Sequence, residues 1–284
     1  TENLKVGRLK YINGFELSSN DYRFGGLSSL LINEFNDFYS VTDRGDWITA
    51  KAKVNDIGFL ENLYSFSMGS LKNELDLPFN KKSKNTDAEA IEKLNNGNFL
   101  ISFERNHRIL KYESLHGPSK DFLTHGFIND LPYNGGLEAI SILIDGSLLM
   151  IAEDKVLSNG NLQAYIFKNG KIKYLTFTKN GSFKPTDLAT LPKGDLLLLE
   201  RSFTPIRGVE ARISLIKYSS LFSTEVIETI TLGKITPPFL VDNFEGISYI
   251  PLGDGTFSIL ILSDDNFKIF QRTLLLQFFW DGKY

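Results

Sequence analysis

The sequence predicts an all-β chain, folded as a single β-propeller of four-stranded antiparallel blades. Helical periodicity is hard to find, whereas short runs rich in Ile, Leu, Phe, Tyr and Thr recur between Gly, Asn, Asp and Pro. Five times a short apolar strand beginning at an acidic or small residue is followed, past a turn, by a second that stops on a carboxylate. These pairs run from Gly26–Leu30 to Asp43, Ala88–Ile91 to Glu104, Leu137–Ile140 to Glu153, Thr186–Ala189 to Glu200 and Phe244–Ile247 to Asp264. Ser28, Glu89 and Glu138 each stand 15 residues before the terminal acid, Asp187 stands 13 before and Glu245 stands 19 before. Repetition at this level points to an array of like units.

Each pair is a hairpin, because the turns Asn95-Asn96-Gly97-Asn98, Asp145-Gly146-Ser147, Pro192-Lys193-Gly194-Asp195 and Gly253-Asp254-Gly255 supply residues that tolerate positive φ. After the hairpins comes room for two more strands. These are Arg108–Tyr112 and Asp121–Ile128, Leu162–Phe167 and Lys171–Thr178, and Ala211–Tyr218 and Thr224–Leu232. The motif recurs at intervals of 61, 49, 49 and 58 residues, the spacing of propeller blades. The last unit keeps three strands, ending with Thr273–Trp280, while Leu4–Leu17 precedes the first motif without a unit of its own. Joining that N-terminal segment to the last blade closes a ring of five. A sixth blade, hidden in the 61-residue first interval, is the competing count. No Pro/Ser-rich linker interrupts the pattern, so residues 1–284 are expected to form one domain.

With 42% apolar and 13% aromatic residues the chain has ample material for a core. Its 31 basic and 34 acidic residues give a net charge of −3, and no block of like charge argues for nucleic acid. Apolar runs are too short to span a bilayer as a helix, so no membrane insertion is expected. Cysteine is absent, which excludes a thiolate nucleophile and cysteine-ligated metal. Any metal must be held by oxygen or imidazole. The sequence begins at Thr1 without an apolar leader, which fits a chain after signal removal or a trimmed one. The polar, basic stretch Asn80–Asn85 reads as a surface loop.

In a hairpin the first residue of one strand and the last of the next lie at the same end. If the first strand is innermost, Glu89, Glu138, Asp187 and Glu245 converge on the mouth of the central channel, with Ser28 in the fifth place. Asp43, Glu104, Glu153, Glu200 and Asp264 then form a second ring outside it. Two ionised carboxylates about 4 Å apart repel by roughly 4 kcal/mol at an effective dielectric near 20. Arg44, Arg105, Arg201 and Lys155 follow four of the outer acids and offer ion pairs. Beyond these the remedies are protonation or a divalent cation, calcium ahead of magnesium for loose oxygen-only coordination. The competing reading is that such acids cap loop amides or fix blade packing.

Several of these stretches, taken in order, resemble one family. Asp87-Ala88-Glu89-Ala90-Ile91, Ser102-Phe103-Glu104-Arg105-Asn106-His107-Arg108-Ile109, Asn134-Gly135-Gly136-Leu137-Glu138-Ala139, Glu200-Arg201-Ser202-Phe203, Asn243-Phe244-Glu245-Gly246-Ile247 and Ser263-Asp264-Asp265-Asn266-Phe267 follow the pattern of the phytase-like family, also called the esterase-like domain of phytase. Gly25-Gly26-Leu27-Ser28-Ser29-Leu30 with Thr42-Asp43-Arg44-Gly45 looks like its first motif, and the resemblance runs from about residue 24 to 279. It implies a β-propeller, an exported bacterial protein, periplasmic or secreted, and a phosphoesterase role resting on recurring Glu and Asp.

The remaining signals are weaker. Ser28 lacks the Gly-x-Ser-x-Gly spacing of a nucleophile elbow. His107 lies three residues past Glu104 and is a candidate general acid or phosphate contact, set against a solvated loop histidine. Asp264-Asp265-Asn266 has the composition of part of a calcium loop but lacks its glycine and terminal glutamate. Arg207 and Arg212 are candidates to face an anion, set against solvated loop positions. The expected function is a metal-dependent phosphoesterase acting on a small phosphorylated molecule, as a monomer. Glu89, Glu138, Asp187 and Glu245 are the expected metal ligands, and Glu104, Arg105, His107 and Arg201 the catalytic set. Two alternatives stand beside it, a noncatalytic binding propeller with a structural calcium and a calcium-dependent lactone or ester hydrolase.

Overall fold

A computed structural model describes residues 4–223, 226–236, 241–268 and 270–284. Five antiparallel sheets follow one another along the chain as the blades of a propeller. The first contains Leu31–Ile32, Asp37–Val41, Asp46–Val54 and Leu60–Ser70. The second contains Ala88–Lys93, Phe99–Phe103, Arg108–Tyr112 and Ser119–Leu123. The third contains Ala139–Ile142, Leu148–Val156, Leu162–Lys168 and Lys171–Phe177. The fourth contains Lys184–Thr190, Leu196–Thr204, Gly208–Ile216 and Ile230–Ile235. In the fifth, Asn243–Gly253, Thr256–Asp264 and Thr273–Trp280 are completed by the N-terminal strand Leu9–Leu17, which pairs antiparallel with Thr273–Trp280.

The ring therefore has five blades, not six, and the N-terminal strand closes it. The long first interval is filled by the extended hairpin Asp46–Val54/Leu60–Ser70 and the loop after it. Two expected strands differ. Positive φ at Gly126 ends the outer strand of blade two early, and Gly126–Asp130 forms a short 3-10 helix that buries Phe127 and Ile128. The expected strand Thr224–Leu232 is divided: Thr224 lies outside the described residues, Val226–Ile227 adds in parallel to the outer edge of blade three, and Ile230–Ile235 finishes blade four.

Stability comes from the seams between blades. Alternate residues of each strand face opposite sides of a sheet, so each blade presents one apolar face to either neighbour. Five buried clusters result, one per seam; that between blades four and five gathers Leu197, Leu199 and Ile213 against Phe244, Ile259 and Phe278. Truncating one such leucine to alanine costs about 2–5 kcal/mol.

The innermost strands carry the feature that positions the site. At one level of each, an extra residue bulges out of the ladder, two residues standing against one on the next strand. The bulged residue is Glu89 in blade two, Thr186 in blade four and Glu245 in blade five. In blade three Glu153 N–H donates to Gly136 and Ala139 pairs with Ile151, so Glu138 is the extra residue. In blade one Leu27 pairs with Thr42 and Leu31 with Tyr39, which places the irregularity at Ser28–Leu30.

Candidate functional site

The bulge turns one side chain per blade out of the ladder, and in blades one, two, three and five that side chain lines the channel mouth. Counted by register, this inner ring is Ser28, Glu89, Glu138, Thr186 and Glu245. The second ring is fixed by a backbone bond in three blades, where Asp43 N–H donates to Gly26, Glu104 to Asp87 and Glu153 to Gly136, and by strand register in the other two, where Lys184 pairs with Arg201 and Asn243 with Asp264. Its members are Asp43, Glu104, Glu153, Arg201 and Asp264.

Blade four thus departs from the expected alignment by one residue, and in a strand one residue reverses the face. Asp187 is not at the mouth. It is 4% exposed at the waist of the channel, where one oxygen accepts from Ile247 N–H (2.8 Å) and Leu30 N–H (3.4 Å) and the other from Leu188 N–H (2.9 Å). It ties blades four, five and one together. Glu200 turns into the blade, 1% exposed, where Arg212 grips both its oxygens at 2.7 and 2.5 Å and Ser214 donates at 2.9 Å. The signal for the correct register is in the sequence: Thr186 and Arg201 keep the 15-residue spacing of the first three units.

A cavity of about 180 Å³ lies at the mouth, lined by Ser28, Asp43, Asp87, Glu89, Glu104, Arg105, Glu138, Arg201, Asn243, Glu245, Asp264 and Asn266. Seven carboxylates face two guanidinium groups. Asp87, Glu89 and Glu104 offer oxygens within 4.8 Å of one another, the spacing a cation could bridge. Asp87 was not among the expected ligands. It sits two residues before Glu89, beneath Glu104 in the ladder, and its Oδ2 is 2.7 Å from Arg105 Nε. Arg105 adopts a positive φ of 59°, a conformation that costs a non-glycine residue about 1 kcal/mol and here accompanies its contact with Asp87. Glu104 Oε1 accepts the amides of Gly135 and of Gly136 (3.0 Å), which fixes the carboxylate.

Arg201 sits on the far side, in contact with Glu245 at 3.2 Å, Glu153 at 3.7 Å and Asn243 Oδ1. Burial opposes its charge, but Glu245, Glu138, Glu153 and Asp264 raise its pKa further than burial lowers it. The expected ion pairs are thus partly rearranged: Arg105 pairs with Asp87 rather than Glu104, Lys155 donates to the Asp130 carbonyl at 2.5 Å, and Arg44 stacks 3.3 Å from the Phe267 ring centroid. Lys184 contacts Glu153 at 3.4 Å and Asp154. His107 does not line the cavity. Its Nε2–H donates to the Pro132 carbonyl at 2.6 Å and its ring packs on Gly136, where a Cβ would fall 2.4 Å from Cε1. Arg207 is exposed and Arg212 belongs to Glu200, so neither faces the mouth.

Crowding and burial raise the acids. Burial, with Asp87, Glu104, Glu245 and Asp43 adding to it, pushes Glu89 well above the ordinary carboxylate range. Burial, then Glu153, Glu89 and Glu245, do the same to Glu138, with Arg201 opposing. Burial lifts Asp43 and Asp87 to about 6, Glu245 to about 7 and Asp264 to about 8. Asp43 Oδ1 is buried without a hydrogen-bond partner among the described residues. An unpaired buried carboxylate oxygen inside a ring of raised acids is what a cation-binding cavity presents before its ion, so these residues fit a divalent cation.

The family model described as Phytase-like, esterase-like activity of phytase, matches residues 22–267. No curated protein matches the sequence. Among solved structures, an α-L-arabinofuranosidase from Podospora anserina in complex with cellotriose is 11% identical, with 96% of this chain and 97% of that one covered and a TM-score of 0.52. A protein of unknown function from Dyadobacter fermentans is also 11% identical, covering 89% and 75% of the two chains with a TM-score of 0.50. A putative gluconolactonase is 10% identical over 96% and 94%, with a TM-score of 0.45. At such identities the likeness to the first two is one of fold alone.

Proposed function

The chain belongs to the phytase-like family, esterase-like activity of phytase, and on that premise we propose that it is a divalent-cation-dependent hydrolase of phosphate esters. One observation carries the reading: seven carboxylates and two arginines share one small cavity at the channel mouth. A phosphate dianion would be repelled by such a ring unless a cation neutralises it. Asp87, Glu89 and Glu104 are the residues that would hold that ion, calcium ahead of magnesium, in place of the four-acid set expected from sequence. When bound, the ion supplies Lewis-acid stabilisation of the charge that builds on the phosphoryl oxygens.

The chain's own groups do the rest. Arg105 and Arg201, approaching from blades two and four, orient the anion and offset its charge. Burial and its carboxylate neighbours push Glu138 well above the ordinary carboxylate range, which suits it to serve as the acid for the departing alkoxide. In the overall step the oxygen of water forms a bond to phosphorus, the ester P–O bond breaks, and the alcohol leaves with a proton. Glu245, fixed by Asn243 at 2.7 Å and by Arg201, holds the guanidinium in place.

Calcium titration by calorimetry, with phosphomonoesters, phosphodiesters and lactones screened with and without chelator, tests this reading. Calcium binding together with chelator-sensitive phosphoester hydrolysis is the expected result. Binding without turnover of any ester makes the propeller a noncatalytic module, lactone turnover alone makes it a lactonase, and no binding removes the cation from the mechanism.

A further inference from the structure

The channel has a second mouth. A cavity of about 370 Å³ opens at its other end, where the innermost strands Ala88–Lys93, Ala139–Ile142 and Lys184–Thr190 finish. It shares no lining residue with the carboxylate cavity, and the waist at Asp187 lies between the two. Isoleucine and leucine are its commonest lining residues. Among them Ser141, Thr190, Ser248 and Tyr249 bring hydroxyls, and Glu92 is the only carboxylate among the described lining residues.

Glu92 is 9% exposed, and among the described residues no lysine or arginine pairs with it. Lys93, next along the strand, faces the other way: its Nζ donates to the Tyr39 hydroxyl at 3.1 Å and lies 4.9 and 5.3 Å from the ring centroids of Tyr39 and Phe99. Across the channel, Asp187 and Tyr249 are raised by burial and then by the charge of Glu92, so neither offsets it. Burial lifts Glu92 itself to about 7, although Ser141 and the amides of Lys93 and Ile142, which hydrogen-bond to it, pull the other way. A buried carboxylate without a counter-ion must either keep a proton or take up a cation.

The surroundings decide which kind of cation. A divalent ion needs several charged oxygen ligands, and here there is one carboxylate. The volume is that of a small-molecule pocket, well beyond what a bare ion fills. Its hydroxyls are held in place with capacity to spare. Ser141 Oγ lies 2.9 Å from Thr190 Oγ1, Ser248 Oγ accepts Ile32 N–H at 2.9 Å and retains its own proton, and Tyr249 donates to the Thr190 carbonyl at 2.9 Å and retains its lone pairs.

We propose that this second mouth binds a small polyhydroxylated primary amine, with Glu92 as counter-ion to the ammonium and Ser141, Thr190, Ser248 and Tyr249 meeting the hydroxyls. The site lies at the opposite end of the channel from the carboxylate cavity and stands independently of the phosphoester reading.

Calorimetry at pH 8 in chelator tests it with 1-amino-1-deoxysorbitol as the probe. The amine should bind, and sorbitol, which lacks the ammonium, should bind at least about tenfold more weakly, as loss of one charge-assisted hydrogen bond implies. Glu92→Gln should remove that difference. Asn95→Trp, at an exposed position on the rim, should exclude both ligands by filling the cavity. Glu89→Gln, at the other mouth, should bind the amine as the parent does. No binding of the amine, equal binding of amine and sorbitol, or amine binding that survives both Glu92→Gln and Asn95→Trp overturns the site. Loss of amine binding in Glu89→Gln but not in Glu92→Gln moves the ammonium to the carboxylate mouth and overturns it equally. Should Glu92→Gln fail to fold, Asn95→Trp and Glu89→Gln decide the question.

Discussion

Replacing Asp187 by alanine separates two roles that sequence register and three-dimensional structure assign to the same residue. At the waist of the channel its carboxyl accepts from Ile247 N–H at 2.8 Å and Leu30 N–H at 3.4 Å, on two other blades. Alanine leaves both amides without that acceptor in a region too tight for easy repair, since a Cβ on the neighbouring Gly246 would already fall 2.6 Å from Leu30 N. A buried group stripped of its partner costs about 1–3 kcal/mol, and the longer bond counts for less. Burial raises the Asp187 pKa well above the ordinary range, with Glu92 adding to it, so removing the acid also relieves a desolvation cost. The expected net loss is about 2–3 kcal/mol, or roughly 3–5 °C in melting temperature for a domain of 284 residues. Asp187→Asn, which keeps one acceptor oxygen, should recover part of it.

Calorimetric calcium affinity should be unchanged in both variants, because Asp187 does not line the carboxylate cavity. A variant that melts like the parent but binds calcium much more weakly would refute the placement and return Asp187 to the ligand set. Thermal unfolding and calcium titration on the same preparation therefore decide the question.

Glu89→Gln should weaken calcium binding by at least about tenfold in calorimetry, as loss of a ligand from an oxygen site does, and unchanged affinity would remove Glu89 from the site. Arg212→Ala strands Glu200, 1% exposed, without its cation and should cost about 3–5 kcal/mol in urea unfolding while leaving calcium binding intact. The folded-state pKa values of Asp43 and Asp87 (about 6), Glu245 (about 7) and Asp264 (about 8) lie above unfolded values near 4. Between pH ~4 and ~8 the native state keeps protons the unfolded chain has released, so metal-free stability from these groups is full below that window and declines as pH rises through it. The melting temperature in chelator should accordingly be higher at pH 5 than at pH 8, with excess calcium flattening the profile; a flat or rising chelator profile contradicts the crowded-acid reading.

The ring was legible because hairpin turns and apolar runs repeat, and repetition survives small errors in any one unit. Blade number and closure followed from the three-stranded last unit and the unmatched N-terminal segment, which pair as Thr273–Trp280 with Leu9–Leu17. The site was harder, since a strand residue's face depends on parity and a bulge changes parity locally. Anchoring blade four on its conspicuous acids aligned Asp187 and Glu200 with the rings, although their 13-residue separation broke the 15-residue rule that Thr186 and Arg201 obey. Asp87 was missed for a related reason, because only the ladder shows that it lies beneath Glu104.

That shift alters the chemistry of the mouth rather than merely its membership. With acids at all five outer positions the ring would be a symmetric cation trap, repulsive to any anionic substrate from every side. With Arg201 in the fourth blade the ring is polarised. Asp87, Glu89 and Glu104 gather the negative charge on blade two, and the guanidinium stands two blades away, past Glu138 on one side and past Glu245 and Asp43 on the other. On the proposed function, a cation at the first pole and the guanidinium at the second would bracket a single anion between them, while one more acid in place of Arg201 would leave nothing on that side to hold it. Under the proposed function, the departure of blade four from the repeat is therefore what would let the acidic mouth accept a phosphate ester.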